Sequence, residues 1–149
     1  MPTLSKLVAA LVFGALAYVA STMVAPTLPE TVRVPDLFVP VNVVIGLLCG
    51  WQLCGAKSGS GYLAALAIGL TAAATMTIVT LLVWAFAQMM QRALRMAYDD
   101  AVQAGLKGVA IAIEYGVLLA GQPVVLALLA VGGVIGGLLA EPFAERRPG

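Results

Sequence analysis

The sequence predicts an all-α fold: a polytopic membrane helical bundle of about four transmembrane helices plus one amphipathic helix. Composition is the first observation. Of 149 residues, 62% are hydrophobic and 10% are charged, where an ordinary soluble domain carries roughly 25% charge. A single domain of this length has too much surface to hide so much apolar side chain from water, and mean hydropathy is +1.03. The second observation is where the charges fall. They cluster between apolar runs whose lengths approach the ~20 residues of a bilayer crossing. The third is the set of 16 glycines, several of them four apart, the spacing by which helices approach closely in lipid.

The first span covers residues 5–25, with Lys6 alone at its head. Its rival reading is a cleaved signal peptide, which would put Pro26 beside the scissile bond after Ala25. Pro26, Pro29 and Pro35 then break helix continuation, and Glu30, Arg33 and Asp36 place this connection in water or headgroups. The second span covers 38–55, with Pro40 in its first turn, where the missing amide proton costs little. Residues 55–61, GAKSGSG, form a flexible turn that makes spans two and three an antiparallel hairpin.

The third span, 62–91, runs 30 residues without a charge. At 1.5 Å per residue that is about 45 Å, longer than the ~30 Å hydrocarbon core, so it must tilt or emerge. Arg92 and Arg95 follow, and Tyr98, Asp99 and Asp100 mark the aqueous edge. Residues 101–119 predict an amphipathic helix, because Gln103, Lys107 and Glu114 fall near one stripe and Leu106, Val109, Ile113 and Val117 on another. Length alone also allows a fifth crossing here. Charge distribution even favours it. A four-span chain puts four cations on each side, whereas five spans with the amino terminus outside put five inside against two outside, with Lys107 counted within the membrane. Gly121-Gln122-Pro123 ends that helix, and 123–140 is the last span, closed by Glu141-Pro142.

Small residues predict the packing surfaces. Gly46 and Gly50 form one GxxxG pair. Gly61, Ala65, Gly69 and Ala73 continue a smooth strip along the third span. Gly132/Gly136 and Gly133/Gly137 overlap on the last. These surfaces serve either contacts within the chain or, through the last span, a homo-oligomer. Gly14 and the Gly61–Ala73 strip are the expected partners of Gly136.

Several chemistries are excluded. The chain has no His, which removes His-bearing zinc sites, a Ser-His-Asp triad and axial His haem ligation. A net charge of +1 offers no basic surface for nucleic acid. No phosphate loop, dinucleotide fingerprint or activated nucleophile is present, so neither an enzyme nor a cofactor is expected. The polar candidates at depth are few. Thr71 and Thr75 share a helix face and either bond back to their own helix or line a polar path. Asn42, the chain's one Asn, either cross-links helices or stands at the interface. Glu114 is an acid within an apolar run. Cys49 and Cys54 are five apart, about 140° around a regular helix, and so do not share a face. Buried thiols act chiefly as small hydrophobes. The remaining aromatics, Trp51, Trp84, Tyr62, Tyr98 and Tyr115, read as ordinary interfacial or bundle content.

The order of short motifs resembles the TrgA-like tellurite resistance membrane proteins. The resemblance begins at Met1-Pro2-Thr3 with Lys6-Leu7-Val8, and continues through Leu28-Pro29-Glu30, Pro40-Val41-Asn42 and Gly50-Trp51. Gly61-Tyr62, Gly69-Leu70-Thr71, Arg92-Ala93-Leu94, Glu114-Tyr115-Gly116, Val131-Gly132-Gly133 and Gly136-Gly137-Leu138 complete it. It covers essentially the whole chain. It implies a small bacterial inner-membrane protein of about four helices, linked to tolerance of tellurium oxyanions, and carries over no catalytic residues. Three functional expectations follow: a non-enzymatic accessory or complex-forming protein in lipid, a small oxyanion transporter or channel, and a thiol-based redox protein built on Cys49 and Cys54.

Overall fold

The computed structural model describes residues 3–28, 36–57, 61–94 and 101–143. The described residues are helical nearly throughout, without a strand. Helix α1 is Thr3–Val24, extended by a 3-10 turn, Ala25–Thr27, that contains Pro26. Helix α2 is Phe38–Cys49, continued by a π turn, Gly50–Cys54, and a last helical turn, Gly55–Lys57. Helices α3, α4 and α5 are Tyr62–Leu94, Ala101–Ala120 and Pro123–Ala140. The predicted ends hold closely. The differences are that α2 runs on into the expected 55–61 turn and α3 continues through Arg92 to Leu94. The expectations on Glu30, Arg33, Arg95, Tyr98 and the acids after it lie outside the described residues.

Glycines set the direction of each helix. A Cβ on Gly46 would stand 2.5 Å from the Phe13 carbonyl oxygen, and one on Gly50 would stand 2.5 Å from that of Ala9. Gly55 lies against Lys6. Positions rise along α2 as they fall along α1, so the two are antiparallel. On α5 the overlapping glycine pairs serve two different neighbours. Gly132 and Gly136 face Leu16 and Phe13 of α1, while Gly133 and Gly137 face Ala65, Gly69 and Ala73 of α3. Both strips are thus occupied by contacts inside the chain. Gly14 meets Leu47 of α2 instead of Gly136. Phe13, fully buried, fills the middle of this junction.

Gly61 is the exception among the small residues. Nothing lies within 4 Å of where its Cβ would be, and its φ is +98°. It is a turn residue and not a packing residue. Its amide donates to Glu141 Oε1 at 2.6 Å, which ties the start of α3 to the end of α5. Its carbonyl accepts the Ala65 amide at 2.9 Å and begins the helix.

By length and apolar composition four helical stretches can cross a membrane: Leu4–Thr27, Tyr62–Leu94, Val102–Ala120 and Pro123–Phe143, with Phe38–Cys54 a shorter apolar helix. The chain path separates them further. Gly108 of α4 lies against Met89 of α3, and Gly133 and Gly137 of α5 lie against residues 65–73. Helix α4 thus lies at the far end of α3, with Tyr115 lining the same cavity as Gln88, and α5 lies along the first half of α3, so the two helices do not form a hairpin. The bend between them is tight: Gln122 N–H donates to the Leu119 carbonyl at 2.9 Å and Leu126 N–H to that of Gln122 at 3.1 Å. Among the described helices, α1, α2, α3 and α5 therefore run beside one another along the bundle, and α4 joins them at the far end of α3.

Candidate functional site

Sequence dictates two kinds of contact along α3. Up to Ala73 its buried side chains are small. Beyond it, Thr77, Thr80, Trp84, Gln88 and Gln91 recur at spacings of three and four, one face of a helix, with Met76 beside Thr77. Larger side chains hold the neighbours away, and a cavity of about 130 Å³ opens there. It lies among the last turns of α1, the start of α2, this stripe of α3, the end of α4 and the first turns of α5.

One polar junction crosses its floor. Asn42 Nδ2 donates to Ser21 Oγ at 2.9 Å, and Asn42 Oδ1 accepts from Trp84 Nε1 at 2.7 Å. Asn42 and Ser21 are only 3% and 5% exposed. The Trp84 ring packs on Phe38, with centroids 5.1 Å apart and planes at 45°. The junction ties α1, α2 and α3 together without a charge. An amide buried this deeply is tolerable because both its ends find partners. Tyr115 of α4 and Gln88 of α3 line the same cavity. No charged residue lines the cavity among the described residues.

The predicted candidates divide sharply. Asn42 is at the centre and cross-links helices. Thr71 and Thr75 are not in the cavity: their hydroxyls donate to the carbonyls of Ala67 and Thr71 at 2.7 and 2.8 Å, within their own helix. Glu114 is exposed on α4. Cys49 is half-buried and Cys54 buried, and neither is in a disulfide. The helical-wheel separation of the two cysteines fails on its premise. The π turn between them, in which Gly55 N–H reaches the Gly50 carbonyl, brings residues five apart toward one face.

Ser21, Thr80, Trp84, Gln88, Tyr115 and Gln122 belong to the cavity, and sequence reasoning missed them as a group. The signal was present. Thr77, Thr80, Trp84, Gln88 and Gln91 follow the spacing three, four, four, three, a stripe that begins beyond Thr71 and Thr75, the two hydroxyls singled out in the sequence.

Large apolar side chains stand outward on every helix, among them Leu63, Ile78, Leu82 and Phe86 on α3. With four stretches able to cross a bilayer, the class is a multi-pass membrane protein built as a helical bundle. Comparison with protein-family models, with curated proteins and with solved structures finds no match.

Proposed function

We propose that this chain is a non-enzymatic accessory protein of the bacterial inner membrane that contributes to tellurite tolerance, alone or as a subunit of a membrane complex. The ordered run of short motifs shared with the tellurite resistance family supports the biological assignment. The observation that carries the accessory role over transport is the absence of charge from the cavity lining among the described residues, combined with the closed backbone contact of Gly69 with Gly133 and Gly137 beyond it. A path for an oxyanion needs cationic or closely spaced donor groups along its length. Here the polar groups stop where the glycine contacts begin. Helix α4 sits at the membrane boundary in this reading. Gln103, Lys107 and Glu114 form its wet flank, and Leu106, Val109, Ile113 and Val117, all exposed, meet lipid.

Deleting the gene in its native host and scoring growth on graded tellurite tests the assignment. Tolerance should fall on deletion and return with the intact chain. Proteoliposomes carrying the purified chain should take up no more tellurite than empty liposomes. Uptake above that background replaces the accessory role with transport. The Cys49→Ala, Cys54→Ala double variant should restore most of the tolerance at equal expression, and a fall to the deletion level would install the thiol mechanism instead.

A further inference from the structure

The cavity holds hydrogen-bond donors that lack acceptors. Asn42 Nδ2 carries two protons, and one of them is taken by Ser21 Oγ. The second has no acceptor among the described residues. Ser21 accepts from Asn42 and passes its own hydroxyl proton to no described group. Both side chains are more than nine-tenths buried, and both line the cavity. Thr80, half-buried, adds a third donor. Thr22, Thr27, Thr71, Thr75 and Thr77 each turn the hydroxyl back onto a carbonyl of their own helix. Thr80 does not, and it too lines the cavity. Buried donors without acceptors are costly in an apolar interior, so each such group asks for an explanation.

The rest of the lining states what would satisfy them. Phe38 and Trp84 supply aromatic surface, and Ala20, Met76 and Leu129 supply apolar wall. No described cation or anion faces the space, so a charged ligand would enter without a counter-charge. At about 130 Å³ the cavity is close to the roughly 150 Å³ that accepts a benzene ring in a well-studied engineered protein cavity.

We propose that this cavity binds the carbonyl-bearing head of an uncharged, lipid-soluble molecule. Its carbonyl oxygen accepts from Asn42, Ser21 or Thr80, and its body lies against Trp84 and Phe38. Two sources offer this chemistry in a membrane: the ring carbonyl of a quinone and the ester carbonyl of a glycerolipid. The site stands on the bundle's own geometry and does not depend on the tellurite reading.

The test uses the full chain in detergent with Trp51→Phe, which leaves Trp84 as the single indole. Decylubiquinone is titrated in, and Trp84 fluorescence is followed. Saturable quenching is expected. Thr80→Val should raise the half-saturation concentration about threefold to tenfold, the equivalent of one neutral hydrogen bond. Ala87→Phe, which fills the cavity from the α3 side, should abolish the saturable component while thermal unfolding stays close to that of the parent. Dicaprylin, an uncharged diacylglycerol, is then added to the quinone-loaded parent. Recovery of fluorescence assigns the site to glycerolipid esters, and no recovery assigns it to quinones. Either result upholds carbonyl recognition. Quenching that rises linearly and equally in all three proteins reports only partition into the micelle and overturns the proposal, with water left as the cavity's occupant.

Discussion

The two ends of the bundle are packed by different means. At the end where α3 begins, backbone meets backbone: Gly69 and Ala65 lie against Gly133 and Gly137, and Gly50 lies against the Ala9 carbonyl. At the end where α3 runs toward Leu94, side chains hold the helices apart, and Asn42, Ser21 and Trp84 join them by hydrogen bonds across a cavity. The same helix, α3, takes part in both. What changes along it is side-chain size, from alanine and glycine to methionine, threonine and tryptophan. In lipid, burying apolar surface between helices gains little, so close approach and polar contacts must hold them. This chain uses close approach where its residues are small and polar contacts where they are large, and the cavity falls where the first gives way to the second.

The largest effect is expected from breaking the backbone contact. A Cβ on Gly69 meets the Gly133 carbonyl, which cannot turn aside as a side chain would. Gly69→Leu should destabilise the protein by about 3 kcal/mol or more, at the upper end for overpacked interiors. Gly136→Leu meets the edge of the Phe13 ring at 2.7 Å. That ring can rotate, so the cost should be lower, about 1–3 kcal/mol. Thermal retention of monodisperse protein in detergent ranks the two. If Gly136→Leu proves the worse, the backbone contact is not what closes this end.

The polar junction should come next. Asn42→Ala leaves the Trp84 indole N–H without its acceptor and Ser21 without its donor. The expected cost is about 1–2 kcal/mol, between the small averages for interhelical hydrogen bonds in membranes and the penalty for a buried unpaired donor. Trp84→Phe leaves one group, Asn42 Oδ1, without its partner, against the two left by Asn42→Ala, so it should cost less even though it deletes more atoms. The reverse order in chemical unfolding would mean that ring packing on Phe38, and not the amide, holds this end.

How much of this was legible in the sequence differs between the two ends. The glycine-packed end was readable, because GxxxG spacing acts through one helix face at a time and needs no knowledge of the partner. Gly46, Gly50, Gly69, Gly133, Gly136 and Gly137 all sit in contacts of the predicted kind. What spacing did not tell was which neighbour each strip would meet, and so a subunit contact stayed open. The cavity was less readable. Its groups come from five helices, and only the α3 stripe is visible within one of them. The π turn was not readable at all, since Gly50–Cys54 carries no residue pattern that distinguishes it from regular helix. It undid the wheel argument for Cys49 and Cys54. Gly61 was misread because it continues the four-residue spacing of the strip, yet its φ of +98° marks the entry to α3.

That turn gives a smaller prediction. Gly61→Ala has open space for its methyl group but a backbone conformation that a Cβ disfavours. The cost should be about 1 kcal/mol, the strain of one residue on the left-handed side. A cost near zero by chemical unfolding would show that the backbone relaxes there and that Glu141 does not hold the turn.

The smallest effect is expected from the hydroxyls of Thr71 and Thr75, and it bears on whether the glycine-packed end is dry. Each donates to a carbonyl one turn earlier in its own helix. Those carbonyls already accept a helical amide, so the hydroxyl satisfies itself more than it serves the backbone. Valine keeps the shape and the β-branch. The Thr71→Val, Thr75→Val double variant should therefore unfold within about 0.5 kcal/mol of the parent, the range for substitutions that remove no contact between elements. It should also leave quinone quenching of Trp84 unchanged, in contrast to Thr80→Val, whose hydroxyl is one turn beyond and faces the cavity. Equal melting with equal quenching would mean that the two stretches of α3 differ as drawn, one turned inward on itself and the other open to a ligand. A loss of more than about 1 kcal/mol, outside the range for such silent positions, would mean that the two hydroxyls join a polar path through the glycine contacts, and transport would again compete with the accessory role.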